Sequence, residues 1–214
     1  MRNDITIRKY EPRDRQDIRR ISYATALLGE PQRYIDHQEI IADALTLYFT
    51  DREPESCLVA SQAGKIVGFL NGTKRAADML RIFSLELAPY VFLKALREGM
   101  FLERKTLCFS LHCLWSFFKG EFFTKDFTKH YPALFHINVD KNFQGIHIGS
   151  QLVQRYFGYL KENGIPGVYV CTMSDEAKKF FEQQGFGILL EKKRSYLRYQ
   201  LGHDVPLYIL GKKL

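Results

Sequence analysis

The stretch of this chain best equipped for chemistry runs from Leu134 to Leu152. An apolar run ending at Val139 reads as a strand. It passes into a short loop carrying Gly145 and Gly149 and then into a helical pattern. Consecutive backbone amides at a helix start form a concave array of donors at the positive end of the helix dipole, a seat for phosphate or pyrophosphate. Glycines let the backbone approach such a ligand and take dihedrals that other residues avoid. The loop is not a P-loop, because no Gly-Lys-Ser/Thr closes it, and the Gly-x-Gly-x-x-Gly dinucleotide pattern is absent. On residue types alone the ligand is any phosphorylated cofactor. The plain alternative is a turn whose glycines serve only its bend. His136, inside the strand, is the first candidate for a general base, since imidazole titrates near neutrality. The alternative for it is a hydrogen-bonded core histidine. Asn138 shares its face by strand alternation. Tyr196, Tyr199 and His203 are candidate acids further along the chain.

These residues need a scaffold, and the periodicities supply one. Ile5 to Tyr10 alternates as a strand, and Asp14 is placed to cap a helix whose apolar face holds Ile18, Ile21 and Ala24 to Leu28. A second helix is expected from about Ile35 to Phe49. Cys57–Ala60 and Ile66–Leu70 flank Gln62-Ala63-Gly64-Lys65, a hairpin signal. From Lys74 to Tyr131 the pattern changes to Leu- and Phe-rich helices near Pro89–Glu98 and Glu103–Phe118, a helical insertion between the third and fourth strands. Its aromatics, Trp115, Phe117, Phe118, Phe122, Phe123 and Phe127, are expected to pack on the sheet, with the lining of an acceptor pocket as the alternative. Beyond Leu134–Val139, the residues Ile148, Leu152, Val153, Tyr156 and Leu160 share one helix face, ended by Gly164 and Pro166. Val168–Thr172 is a strand. Ser174 caps a short helix that Gly185 ends, and Phe186–Leu190 and Val205–Leu210 are closing strands. No linker or repeat divides residues 1–214, so a single domain is expected, with 74–131 inserted.

Composition sets outer limits. Of 214 residues, 46% are hydrophobic and 26% charged, with 17 Phe and 12 Tyr, enough to bury a core and exclude disorder. The charged start, Met1 to Asp4, has no apolar run after it, and no stretch reaches the roughly 20 apolar residues of a membrane span. A soluble cytoplasmic protein without a membrane partner is expected. Cys57, Cys108, Cys113 and Cys171 form no Cys-x-x-Cys pair and read as buried free thiols, so no metal site is expected. The net charge of +7 favours an anionic partner, but Lys and Arg are scattered rather than striped, which argues against nucleic acid.

The run Val139, Phe143-Gln144-Gly145-Ile146-His147-Ile148-Gly149 resembles the acetyl-CoA signature of GNAT acetyltransferases, Gln/Arg-x-x-Gly-x-Gly/Ala after a strand. Ser174 to Phe186, with Ala177, Phe180, Phe181 and Gly185, resembles the family's second signature, and the resemblance spans nearly the whole chain outside the insertion. It implies an α/β GNAT fold: a central mixed, mostly antiparallel sheet with strands four and five splayed beside a bulge, flanked by helices. It implies acetyl-CoA as cofactor and direct attack of a primary amine, on a small-molecule acceptor, on the thioester. By position, Ile137, Asn138 and Val139 would meet the pantetheine and thioester. Gln144, Gly145, Ile146, His147, Ile148, Gly149 and Ser150 would hold the pyrophosphate, and Ser174 and Phe181 would flank the pantetheine end. His147 stands at the usual middle glycine, Ser174 at the usual Asn, and Phe181 at a Tyr that in many relatives protonates the departing thiolate. Those departures keep two alternatives open, an acyl-CoA-binding module without turnover and a protein N-acetyltransferase. A homodimer is also compatible with the resemblance.

Overall fold

The computed structural model describes residues 5–32 and 34–214. The charged stretch Met1–Asp4 lies outside the described residues. Seven strands form one sheet in the order β1-β2-β3-β4-β5-β7-β6: β1 (Ile5–Lys9), β2 (Cys57–Gln62), β3 (Lys65–Thr73), β4 (Ala133–Val139), β5 (Gly167–Thr172), β6 (Gly187–Arg194) and β7 (Val205–Lys213). Every neighbouring pair is antiparallel except β4 and β5, which are parallel. This is the expected mixed, mostly antiparallel sheet. The β2–β3 turn places Ala63 and Gly64 at φ of 48° and 79°, the left-handed pair of a two-residue hairpin.

Helices cover both faces. On one lie α6 (Ile148–Glu162) and α7 (Asp175–Gln183). Leu152, Val153, Tyr156 and Leu160 of α6 are buried against Val67, Phe135, Val168, Val170 and Leu210, which builds the main core. Strand alternation assigns Ala133, Phe135, Ile137 and Val139 to this face. On the other face lie α1 (Arg15–Ala24), α2 (Gln38–Arg52) and, between β3 and β4, α3 (Ala76–Ile82), α4 (Ala88–Arg97) and α5 (Arg104–Phe118). A single-turn helix α8 (Arg198–Leu201) lies between β6 and β7.

Several expectations need correcting. The second helix starts at Gln38 rather than Ile35. Asp14 precedes α1 but does not cap it with its side chain; the carboxylate instead accepts both guanidinium nitrogens of Arg8, at 2.6 and 2.7 Å, and the Glu11 amide. In the insertion, Phe122 and Phe127 are partly buried, whereas Trp115, Phe117, Phe118 and Phe123 are exposed rather than packed on the sheet. The cause is the face that α5 buries: Thr106 and Ser116 point inward, so its Leu and Trp stripe faces out. All four cysteines are free, but only Cys57 is buried, and Cys171 is exposed.

Buried polar groups tie the layers together. Arg19 on α1 donates to Asp43 on α2 at 2.6 Å, and Lys94 on α4 donates to the other Asp43 oxygen at 2.7 Å. Glu53, 2% exposed, accepts from Tyr48, Ser56, Thr73 and the Lys74 amide, fastening the end of α2 to β3. Tyr156 donates to the Thr73 carbonyl at 3.1 Å, and its hydroxyl occupies the space beside Gly72. A Cβ at Gly72 would lie 2.3 Å from that oxygen. Gly72→Ala should therefore destabilise the protein by about 1–3 kcal/mol through overpacking, read as a lower urea midpoint at unchanged m-value.

Candidate functional site

The site is organised by incomplete pairing of β4 and β5. Only Ala133 with Val168 and Leu134 with Tyr169 are in register. On its other side β4 pairs with β3 along its whole length, from Leu134 to Val139. From Phe135 onward, then, the edge of β4 that faces β5 has no strand partner, and a cleft opens between the two strands. The β3–β4 ladder runs without a register shift, so the bulge that the resemblance implies beside the splay is absent from it.

At the end of β4 the chain turns through a short 3₁₀ segment, Lys141–Phe143, where Asp140 accepts from the Asn142 amide, into the loop ahead of α6. Gln144 folds back, its amide nitrogen 3.3 Å from the Val139 carbonyl. Gly145 has φ of 80° and His147, the N-cap of α6, has φ of 64°. The backbone N–H groups of residues 145 to 150 donate to no acceptor among the described residues. Gln144 to His147 are exposed, and the unpaired amides lie at a helix start, where intrahelical acceptors are lacking. Gly149 sits against Phe180, whose ring would be 3.2 Å from an added Cβ. The Ser150 hydroxyl accepts from Gln184 at 3.3 Å.

The second signature is a capped helix packed over the first. Ser174 Oγ accepts from the Ala177 amide at 3.2 Å and also meets Glu176, so this hydroxyl is already engaged. Phe181 is 5% exposed, its ring centroid 5.2, 6.0 and 5.6 Å from those of Phe180, Phe135 and Phe186. Its surroundings are aromatic, and it offers no proton.

On the opposite face the cleft is lined by side chains. His136 makes no hydrogen bond among the described residues and meets the Phe49 ring edge-on at 5.6 Å. It is open to solvent along the cleft while protein crowds it on other sides, and that desolvation lowers its pKa, leaving a neutral imidazole at pH 7. The core-histidine alternative does not hold. Asn138 donates to Thr25 at 2.5 Å and is thereby tied to the end of α1. Cys171, across the cleft on β5, has a thiol pushed up to about 11 by desolvation, which outweighs the opposing charge of Arg194.

Beyond the end of β5 lies an aromatic cluster that no local sequence signal announced. Tyr34 stacks on Phe109 of α5 at 4.1 Å, and Phe109 and Phe122 approach Tyr196 at 6.0 and 5.6 Å. Tyr196 is 9% exposed, and its hydroxyl donates to the Met173 sulfur at 3.2 Å. Of the other candidate acids, Tyr199 stacks on His112 at 4.1 Å, and His203 is exposed. The cluster is braced by Glu121, which accepts from Ser116 Oγ at 2.6 Å, the Ser195 amide at 2.7 Å and Lys119 at 3.3 Å. Two surface hollows elsewhere, one lined by Arg8, Arg13 and Asp17 and one by Lys74, Ala77 and Thr128, include no residue of the cleft.

Comparison with known proteins agrees with this geometry. Residues 112–186 match the model of the Acetyltransferase (GNAT) family. Three solved structures share the fold over nearly the whole length of both chains. The protein designated SsHAT is 22% identical, with a TM-score of 0.71 and coverage of 98% of each chain. A Drosophila melanogaster polyamine N-acetyltransferase that forms N-acetylagmatine is 14% identical, with a TM-score of 0.58 and coverage of 99% of this chain and 100% of that one. The yncA protein of Salmonella typhimurium, solved with its cofactor acetyl-CoA, is 14% identical, with a TM-score of 0.58 and coverage of 99% and 95%. No curated protein matches the chain in sequence. The chain has the α/β fold of the GNAT acetyltransferases, and residues 112–186 resemble that family in sequence. No helix among the described residues is long and apolar enough to cross a membrane.

Two outcomes follow from the local geometry. Left-handed φ costs a non-glycine residue on the order of 1 kcal/mol. His147→Gly should raise the melting temperature, because it relieves that cost while keeping the amide. Burial of Glu121 favours its neutral form, but the hydrogen bonds from Ser116, Ser195 and Lys119 outweigh it and hold the pKa at about 2. The folded-state pKa thus lies below the unfolded value of about 4.3. The carboxylate's contribution is complete above that value and is lost as pH falls toward 2. In urea melts, Glu121→Gln should lower stability at pH 7 by about 1–3 kcal/mol, and the variant should lose less than the parent protein between pH 5 and pH 3.

Proposed function

We propose that this protein transfers an acetyl group from acetyl-CoA to a primary amine of a small-molecule acceptor by direct attack on the thioester. The observation that carries this reading is the row of unpaired amides at residues 145 to 150, set at the end of a strand whose edge is left free by the splay. Gln144, Gly145, Ile146, His147, Ile148, Gly149 and Ser150 would take the pyrophosphate, with the α6 dipole behind it. The free edge of Ile137, Asn138 and Val139 would hold the pantetheine by strand-like hydrogen bonds and place a donor near the thioester oxygen, where charge develops during attack. Ser174 and Phe181 stand at the other wall.

His136 is the base in this scheme. A neutral imidazole facing the cleft accepts the proton that an ammonium acceptor must lose before it attacks. Tyr196 is the candidate hydroxyl for the departing thiolate: it donates to a weakly accepting thioether and is reached by the Arg194 guanidinium, which favours its giving up a proton. The fold-sharing polyamine N-acetyltransferase supports an amine as acceptor class. One observation favours a second reading, an acyl-CoA-binding module without turnover: Phe181 lies among rings where many relatives carry a tyrosine.

Acetyl-CoA or CoA in excess should raise the melting temperature. Binding confined to the native state adds about 2.7 kcal/mol at a hundredfold excess over Kd. Gly149→Asp should abolish the shift by setting a carboxylate beside the pyrophosphate and against Phe180. A melt unmoved by millimolar acetyl-CoA overturns the donor site. Retained binding with no thiol release across an amine panel favours the second reading.

A further inference from the structure

Among the described residues, the acceptor side of the cleft holds a cation with no carboxylate within ion-pair distance, Arg194. Arg194 is the last residue of β6, paired with Val205. Alternation sets its side chain on the same sheet face as Cys171 and His136. Its guanidinium lies over the Phe122 ring, 5.0 Å from the centroid. It is near enough to Cys171 and Tyr196 to act electrostatically on both. The Nε atom is buried and has no hydrogen-bond partner. Among the described residues no carboxylate lies within 4.0 Å of the group.

That isolation is unusual within this chain. The other partly buried or buried arginines are each matched: Arg8 with Asp14, Arg15 with Asp51, and Arg19 with Asp43. Arginines without a carboxylate, such as Arg97, Arg104 and Arg155, are exposed and solvated. The nearby acid, Glu121, is already saturated by Ser116, Ser195 and Lys119. A guanidinium withdrawn from water with an unsatisfied N–H is costly unless something pairs with it. Its planar fork fits a carboxylate bidentately. Phe122 and Tyr196, which approach it, belong to an apolar cluster with Tyr34 and Phe109.

We propose that the acceptor is an amine that also carries a carboxylate, an amino acid with an apolar or aromatic body, and that Arg194 pairs with that carboxylate while the body rests on the Phe122–Tyr196 wall. The inference rests on the acyltransferase reading given above. It excludes polyamines as preferred acceptors, because they would bring positive charge to an unpaired cation.

The test is calorimetric titration of the full chain saturated with CoA. Two matched pairs serve as probes, phenylalanine against phenethylamine and O-phosphoethanolamine against ethanolamine. Phenylalanine should bind at least about tenfold tighter than phenethylamine, the size of one charge-assisted pair. Arg194→Gln should erase that preference, and Arg194→Lys should keep part of it. The CoA-induced melting shift of each variant verifies that it folds and holds the donor. Equal affinity within the first pair, no binding of phenylalanine, or a preference that survives Arg194→Gln overturns the proposal. A preference shown only by the phosphate-bearing pair assigns Arg194 to a phosphate and overturns the carboxylate. Should CoA itself fail to bind, the donor-site reading falls first. Should CoA bind normally while the pairs do not differ, only the acceptor assignment falls.

Discussion

The rest of this structure depends on two strands that stop pairing. Parallel neighbours normally satisfy each other's backbone along their length, and an unpaired buried amide or carbonyl costs as much as a lost hydrogen bond. Here β4 and β5 part after Leu134 and Tyr169. The chain can sustain this because β4 is fully paired on its β3 side and β5 is fully paired with β7, so each strand is held from outside the cleft. The gap leaves β4 with a free edge of the kind to which an extended ligand can add as a further strand does.

Bracing that gap requires the helices to stay put, and buried polar contacts see to it. The Arg19–Asp43–Lys94 chain joins α1, α2 and α4, and Glu53 fixes the end of α2 to β3. Glu121 joins the segment after α5 to Ser195 beside the end of β6. Such groups are strongly destabilising to break singly, because each leaves a charge buried without a partner. They fix the acceptor wall in place: Tyr196 and Arg194 are neighbours in sequence of the serine that Glu121 holds.

The proposed donor side was legible in the sequence because backbone would do the recognising there. A strand, a loop that admits positive φ and an amphipathic helix leave a local signature, and Gly145, Gly149 and the apolar face from Ile148 to Leu160 carried it. Element order was likewise written in periodicity, from the β2–β3 hairpin to the Ser174 cap. On the acceptor side, His136, Phe122 and Tyr196 stood out by residue type, but the grouping around them was not legible. Tyr34, Phe109, Phe122, Met173 and Tyr196 come from separate segments, and no spacing in the chain announces that they meet. Apolar content also misled in the insertion, since it does not say which face of a helix is buried. In α5 the buried positions are Thr106 and Ser116, and Trp115 faces outward.

This division has a chemical logic. A pyrophosphate and a pantetheine arm present the same atoms whatever is to be acylated, so donor contacts made by backbone tolerate change in most side chains. His147 illustrates that tolerance, holding a left-handed conformation that glycine would take more easily, with its amide still free. Acceptor contacts must differ from one substrate to the next, and only side chains can vary that way. The groups with unmet demands lie on that side: a histidine without a hydrogen bond, a tyrosine hydroxyl resting on sulfur, and an arginine nitrogen with no acceptor. On the proposed reading, the aligned row of unpaired amides is where the donor's phosphates would be held. The side chains across the sheet are where selectivity for a proposed acceptor would reside.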